Sequence, residues 1–353
     1  MSLDLLVHLQ REHAFDPTPI RDDLGVYHVP FSDLVSDLHP ERALQEACLR
    51  MERVALVGKS GAGKSSLTAS VLGPLAEGVA PVVVPVARES FEVASEPRAM
   101  FAHLAGVIAS YAREASLLDD KQRDEALSRV TAHRPVGRAS GVSGRLTIGW
   151  MGAQLGAELA RQAEETRTIV RSATETLETV HQMVEIIRKE SLVPVLIFDD
   201  TDRWLSGPAY AEADELVASF FGRVLPDLAE LRCALVVAVH RKYLADSVLR
   251  ASIQRTLDTP VDVPSLRSAR AIALVIASRI RAHTEPDTGA AFLHDVVTQS
   301  AVDRLFDHYT RGLRGELRSV IGAVHIALAE ACDGRAESIG PELIDDALTM
   351  WEP

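Results

Sequence analysis

The stretch from Arg53 to Thr68, RVALVGKSGAGKSSLT, leaves a chain few ways to fold. A short apolar run, Val54 to Val57, enters a loop with glycines at 58, 61 and 63, and Lys64, Ser65 and Ser66 leave it on a segment of helical character. Gly58, Gly63, Lys64 and Ser65 match GxxxxGK[ST] in the strand–loop–helix context that gives the pattern meaning. Glycines are needed because backbone N–H groups must turn inward around a phosphate chain, which leaves no room for Cβ atoms. The cradle so predicted is Gly58, Lys59, Ser60, Gly61, Ala62, Gly63, Lys64, Ser65 and Ser66, with the positive end of the following helix dipole behind it. Lys64 would reach the β- and γ-phosphates, and the Ser65 hydroxyl would ligate Mg²⁺. A glycine-rich turn with a solvated lysine is the competing reading. The chain has only five lysines against 32 arginines, yet two of the five fall in this loop, which weighs against chance.

With 353 residues, 47% of them hydrophobic, the chain can build one large α/β domain and a smaller one. Its net charge of −13 speaks against a broad nucleic-acid footprint, though not against a local basic patch. Cys48, Cys233 and Cys332 are far apart, lack CxxC spacing and sit in apolar surroundings, as small buried thiols in a reducing cytoplasm would. The N-terminus has no basic region followed by an apolar core, and runs such as Ala271–Ala277 are too short to span a bilayer. A soluble, cytoplasmic protein without a membrane partner is expected.

Residues 1–25, with Pro17 and Pro19, read as an N-terminal extension that wraps the domain rather than building its core. Val26 to Phe31 is β-rich and is followed by a helix over about Pro40 to Met51. This run could cover an adenine ring or be a plain edge strand. Ala80 to Ala87 reads as a second core strand, and helices are predicted over about 97–114 and 120–132. The segment 137–156 holds six of the 21 glycines; its alternation from Val142 to Trp150, continued at Leu155, Ala157 and Leu159, suits a hairpin. From Glu164 to Glu190, Val170, Ala173, Leu177, Val180, Val184 and Ile187 form a seam at heptad spacing, for burial against the domain's own helices or for a coiled-coil partner.

Pro194 to Trp204, PVLIFDDTDRW, is a buried strand that ends abruptly in two acids, where an α/β sheet places its ligands. With a phosphate loop upstream, Asp199 is the expected Mg²⁺-associated residue and Asp200 the candidate for polarising the attacking water. Cys233 to Val239 is another buried strand, ending in His240-Arg241-Lys242. From Val261 onward a last short strand and Pro264 lead into a series of helices, with loops near 284–288 and 333–338.

The two acidic and glycine-rich stretches resemble the Walker A and Walker B motifs of P-loop NTPases, and DDTDRW is similar to the DDxD signature of the STAND and KAP ATPases. Most AAA+ enzymes carry Glu where this chain has Asp200. The resemblance implies a parallel sheet sandwiched by helices and followed by a small all-helical lid. It divides the chain into an extension at 1–25, an ATPase domain at 26–263 with the insertion at about 137–190, and a lid at 264–353. It further implies ATP and Mg²⁺ as ligands, His240 at the sensor-1 position and, in Gly312-Leu313-Arg314, the GxR core of sensor 2, with Arg314 reaching the γ-phosphate. Arg203, Arg223 and Arg241 are all candidate arginine fingers. The activity implied is slow ATP hydrolysis used as a regulatory switch, in company with a second copy or a protein encoded nearby, as in bacterial defence systems. The competing reading is a DNA-associated ATPase of the transposition or replication loader type, drawn from Arg138, Arg145 and the hairpin, with the −13 charge against it.

Overall fold

A computed structural model describes residues 2–18, 21–35, 38–75, 78–85, 93, 95–118, 121, 173–199, 201, 210–284, 292–311 and 316–351. The expected helix at 120–132, the hairpin, Arg138, Arg145, Val170, Asp200, Arg203 and Arg314 lie outside the described residues. The chain forms two compact units interleaved along the sequence: residues 1–43, 58–73 and 262–353 make the first, and 44–57 and 74–261 the second.

The second unit is built on a sheet of five strands, β1 (Arg53–Gly58), β2 (Val79–Pro85), β3 (Val193–Asp199), β4 (Ala234–His240) and β5 (Thr259–Asp262), in the order β2-β3-β4-β1-β5. β2 pairs with β3 and β3 with β4 in parallel, Pro85 opposite Asp199 and Phe198 opposite Val237. This is the α/β class expected. β3 and β4 are almost continuously apolar, as strands covered on both faces must be. The helices that accompany the sheet are α6 (Pro97–Glu114) and α7 (Ala173–Lys189), which pack on each other and on β2 and β3. Within α7 the seam residues Val180, Val184 and Ile187 are fully buried in the core of their own unit. After β3 the chain runs through α8 (Tyr210–Ser219), a π-helical turn (Phe220–Val224) and α9 (Leu225–Leu228). The wide turn carries Phe220 and Phe221, both fully buried, against Phe198 and Tyr243.

The first unit gathers α1 (Ser2–Arg11), α2 (Arg21–Val26), α3 (Phe31–Leu34), the start of α4 (Pro40–Leu49) and α5 (Lys64–Leu72). With them are α11 (Ala269–Ala282), α12 (Phe292–Val296), α13 (Gln299–Arg311), α14 (Leu317–Asp333) and α15 (Pro341–Met350). Two expectations are corrected here. The N-terminal residues build core instead of wrapping it: Leu6, Leu9, Ala14 and Phe15 are fully buried, and α1 packs on α14 and α12. The β-rich run at Val26–Phe31 is no strand. Val26 ends α2, Phe31 opens α3 after Pro30, and the residues between are held by contacts of their own. Tyr27 OH lies 2.8 Å from His283 Nε2, its carbonyl accepts from Ser278 Oγ, and its ring lies under the Arg279 guanidinium, 4.6 Å away.

Arg279 is 7% exposed and donates to the carbonyls of Ala14 (3.2 Å) and Asp16 (2.8 Å). Burial lowers its pKa to about 10, opposed by Tyr27, Asp16 and Asp23, so it stays charged at neutral pH and clamps the N-terminal segment onto α11.

Candidate functional site: the phosphate loop and the acidic strand end

In the first unit the loop after β1 has the backbone its glycines were predicted to allow. Gly61 (φ +64°) and Gly63 (φ +96°) both occupy left-handed conformations that a side chain resists. Ala62 N–H donates to Lys59 O at 3.3 Å, closing the turn, and Gly63 caps α5 without any side-chain acceptor. The first-turn amides of α5 are therefore not consumed by a capping side chain, the arrangement that suits an anion. Lys64 is only 5% exposed, and its Nζ donates to the carbonyls of Lys59 (2.7 Å) and Gly58 (3.4 Å). A buried ammonium beside a helix start that no side chain caps is a donor set for phosphate oxygens. Thr68 Oγ1 donates to Lys64 O and fixes the first turn of the helix.

Two neighbours of the loop escaped the sequence reading. Leu317 N–H, at the start of α14, donates to Gly61 O at 3.0 Å. A Cβ placed on Gly61 would stand 3.3 Å from Arg318 Cβ, so Arg318, an exposed residue, begins directly beside the loop. Arg318 lies outside the motif read from the sequence, and only this tertiary contact points to it. On the other flank, Phe31 Cζ lies 3.6 Å from where a Gly63 Cβ would be, and Ser66 Oγ donates to Leu24 O at 2.9 Å. Nearby, Val26, Val29 and Pro30 face Leu274 and Ala282 of α11 across an open cleft of about 520 Å³ that also takes in His28, Asp33 and Arg281.

In the second unit, Asp199 ends β3 half-exposed, and parallel pairing puts the ends of β3 and β4 side by side. Thr201, fully buried, is anchored just beyond the end of β3: its Oγ1 donates to Ala238 O, and its own carbonyl accepts from Tyr243 OH at 2.7 Å. His240 ends β4, and its Nδ1 accepts from Lys242 N–H at 3.1 Å, which leaves Nε2 as the protonated nitrogen of the neutral ring. His240 thus caps a short 3-10 turn, Arg241–Leu244. Neither Thr201 nor Tyr243 carries a motif that would have found it. Among the described residues no group of three or more His, Cys, Asp or Glu is placed to hold a metal ion. An ion such as Mg²⁺, which needs few protein ligands and takes the rest from phosphate and water, is compatible with that donor set.

No helix among the described residues is long and apolar enough to cross a membrane. No family model matches the chain, and no curated protein matches it. Two solved structures of the Aeropyrum pernix ORC2 protein are similar to it, the ADP form at 14% identity and the ADPNP–ADP complexes at 16%, each with a TM-score of 0.46. The likeness covers 96% and 92% of this chain and 72% and 70% of theirs.

Proposed function

We propose that this chain binds Mg·ATP in the loop from Gly58 to Ser66 and hydrolyses it slowly, using the cycle as a conformational switch. The observation that carries the reading is the loop itself: two left-handed glycines, a helix start without a side-chain cap, and the Lys64 ammonium buried among loop carbonyls. In this reading Lys64 moves from the carbonyls of Gly58 and Lys59 to the β- and γ-phosphates, which are stronger acceptors. Ser65 and Asp199 would hold Mg²⁺, which would supply charge neutralisation at the phosphates, and Asp200 would polarise the water. Val26, Val29 and Pro30 at the open cleft are the apolar surface for the base.

The helical region from 264 acts as the lid. Arg318 joins Arg314 as a cation able to answer the γ-phosphate, because it starts beside Gly61. His240 keeps the sensor-1 assignment through its Nε2–H. The finer reading is a STAND-like regulator, with a second copy or a protein encoded nearby as its partner, of the kind used in bacterial defence. Single-turnover hydrolysis tests the reading: Asp200→Asn should bind ATP and fail to cleave it, and equal loss of binding would assign Asp200 to the metal instead. A rate that rises with duplex DNA would favour the loader reading.

A further inference from the structure

Ser66 stands on the first turn of α5 but is tied to the N-terminal segment. Its Oγ donates to Leu24 O at 2.9 Å and lies 3.2 Å from His28 Nδ1. The His28 side chain is 5% exposed, and its Nε2 lies 3.0 Å from Glu41 Oε1. That same oxygen accepts from Phe31 N–H at 2.6 Å.

Counting protons shows what this network requires. A hydroxyl has one hydrogen, so while Ser66 points it at Leu24 O it offers His28 only lone pairs, and Nδ1 must be an N–H. Glu41 Oε1 is an acceptor, so Nε2 must be an N–H as well. The observed arrangement is therefore satisfied by the imidazolium. A neutral ring has a single N–H, and the bond to the carboxylate is the stronger of the two, so the proton stays on Nε2. Nδ1 then becomes an acceptor, and the Ser66 hydroxyl must leave Leu24 O to satisfy it. The charge on His28 thus decides whether the Ser66 hydroxyl is bonded to Leu24 O at the end of α2.

The groups facing the ring are Glu41 from α4, Ser66 from α5, the edge of Phe31 at 5.8 Å between centroids, and, lining the same cleft, Asp33 from α3 and Arg281 from α11. Burial holds the His28 pKa below the ordinary histidine value and Glu41 opposes it. Phe31 also stands beside the loop, its Cζ 3.6 Å from where a Gly63 Cβ would be, so His28 is linked to the phosphate loop through Ser66 and flanked by a ring that borders it.

We propose that His28 is a positioning residue that takes up a proton when the phosphate loop takes up a polyphosphate anion, a coupling that rests on the nucleotide reading above. An anion at the head of α5 favours the imidazolium. By reciprocity the imidazolium favours the anion, and it does so while holding Ser66 on Leu24 and α5 against α2. The stabilisation is present below the free-state pKa of His28 and is lost as pH rises through the bound-state value.

The test is an NMR titration of the full chain labelled at histidine Cε1, free and with the Mg²⁺ complex of the imido analogue of ATP, the His28 signal being assigned by its loss in His28→Gln. The His28 pKa should rise by about half a unit or more on binding, equivalent to roughly threefold in affinity. Isothermal titration between about pH 5.5 and pH 8 should show that parent affinity gains about that factor over His28→Gln at the acid end. The comparison between the two proteins removes the titration of the nucleotide itself. If His28→Gln does not fold, the signal is assigned through Glu41→Gln, in which the pH dependence should move to lower pH. Binding with an unmoved His28 titration overturns the coupling alone. Absence of binding in the parent overturns the nucleotide reading, and the coupling with it.

Discussion

Gly322 lies within α14, where an alanine would ordinarily strengthen the helix by about 1 kcal/mol. Here a Cβ would come within 2.3 Å of Trp351 Cζ3, 2.4 Å of Cη2 and 2.6 Å of Cε3. Carbon atoms rest at about 3.5–4.0 Å, so the overlap exceeds an ångström and the indole must leave its seat. Among the described residues Trp351 Nε1 is buried without a hydrogen-bond partner, and losing the packing of the indole costs about 2–3 kcal/mol. Gly322→Ala should therefore destabilise the parent by about 1–2 kcal/mol. In a Trp351→Ala background the obstacle is gone, and the same change should stabilise by about 1 kcal/mol. Urea unfolding followed by circular dichroism gives the four stabilities of this cycle, and tryptophan emission should shift to the red in Gly322→Ala alone. The same sign of effect in both backgrounds would refute the placement of Trp351 on α14.

Two further outcomes follow from the structure. Arg318→Ala should weaken ATP binding more than ADP binding by about 1.5–3 kcal/mol, read by isothermal titration, and the same comparison for Arg314→Ala decides which arginine answers the γ-phosphate. An equal change for both nucleotides would make Arg318 a helix-end residue only. Burial pushes the Cys48 and Cys233 thiols up to about 12, so the folded chain keeps protons that the unfolded chain has lost above the ordinary thiol range. Stability should fall as pH rises through about 9 to 12, by about 1.4 kcal/mol per unit for each thiol, and each Cys→Ala change should flatten the slope.

What could be read from the chain follows from how each signal is encoded. The phosphate loop and strands β1 to β4 are local patterns, glycines at fixed offsets and runs of Val, Leu and Ile, and the structure places the strands within a few residues of the expected limits. The run Val26–Phe31 has β composition, but its conformation is set by Ser278, His283, Arg279 and Glu41, residues up to about 250 positions away, which no local pattern can report. The burial of Leu6 and Leu9 likewise depends on α12 and α14, whose partners are at the far end of the chain. The helix α10 (Ser247–Thr256), capped by Asp246, is short and mostly exposed. Arg318 and Thr201 are ordinary residues in sequence that matter by position: one begins beside Gly61, and the other is bonded to Ala238 of β4.

In the proposed function the loop from Gly58 to Ser66 holds a triphosphate through Lys64. Isothermal titration of Mg·ATP into the parent and into Lys64→Ala tests it most directly, with circular dichroism to show that both are folded. The parent should bind, and the variant should lose at least about tenfold in affinity, the effect of removing one charge-assisted contact, since its ammonium is the buried cation of the loop. Equal binding of Mg·ATP by the two proteins would contradict it.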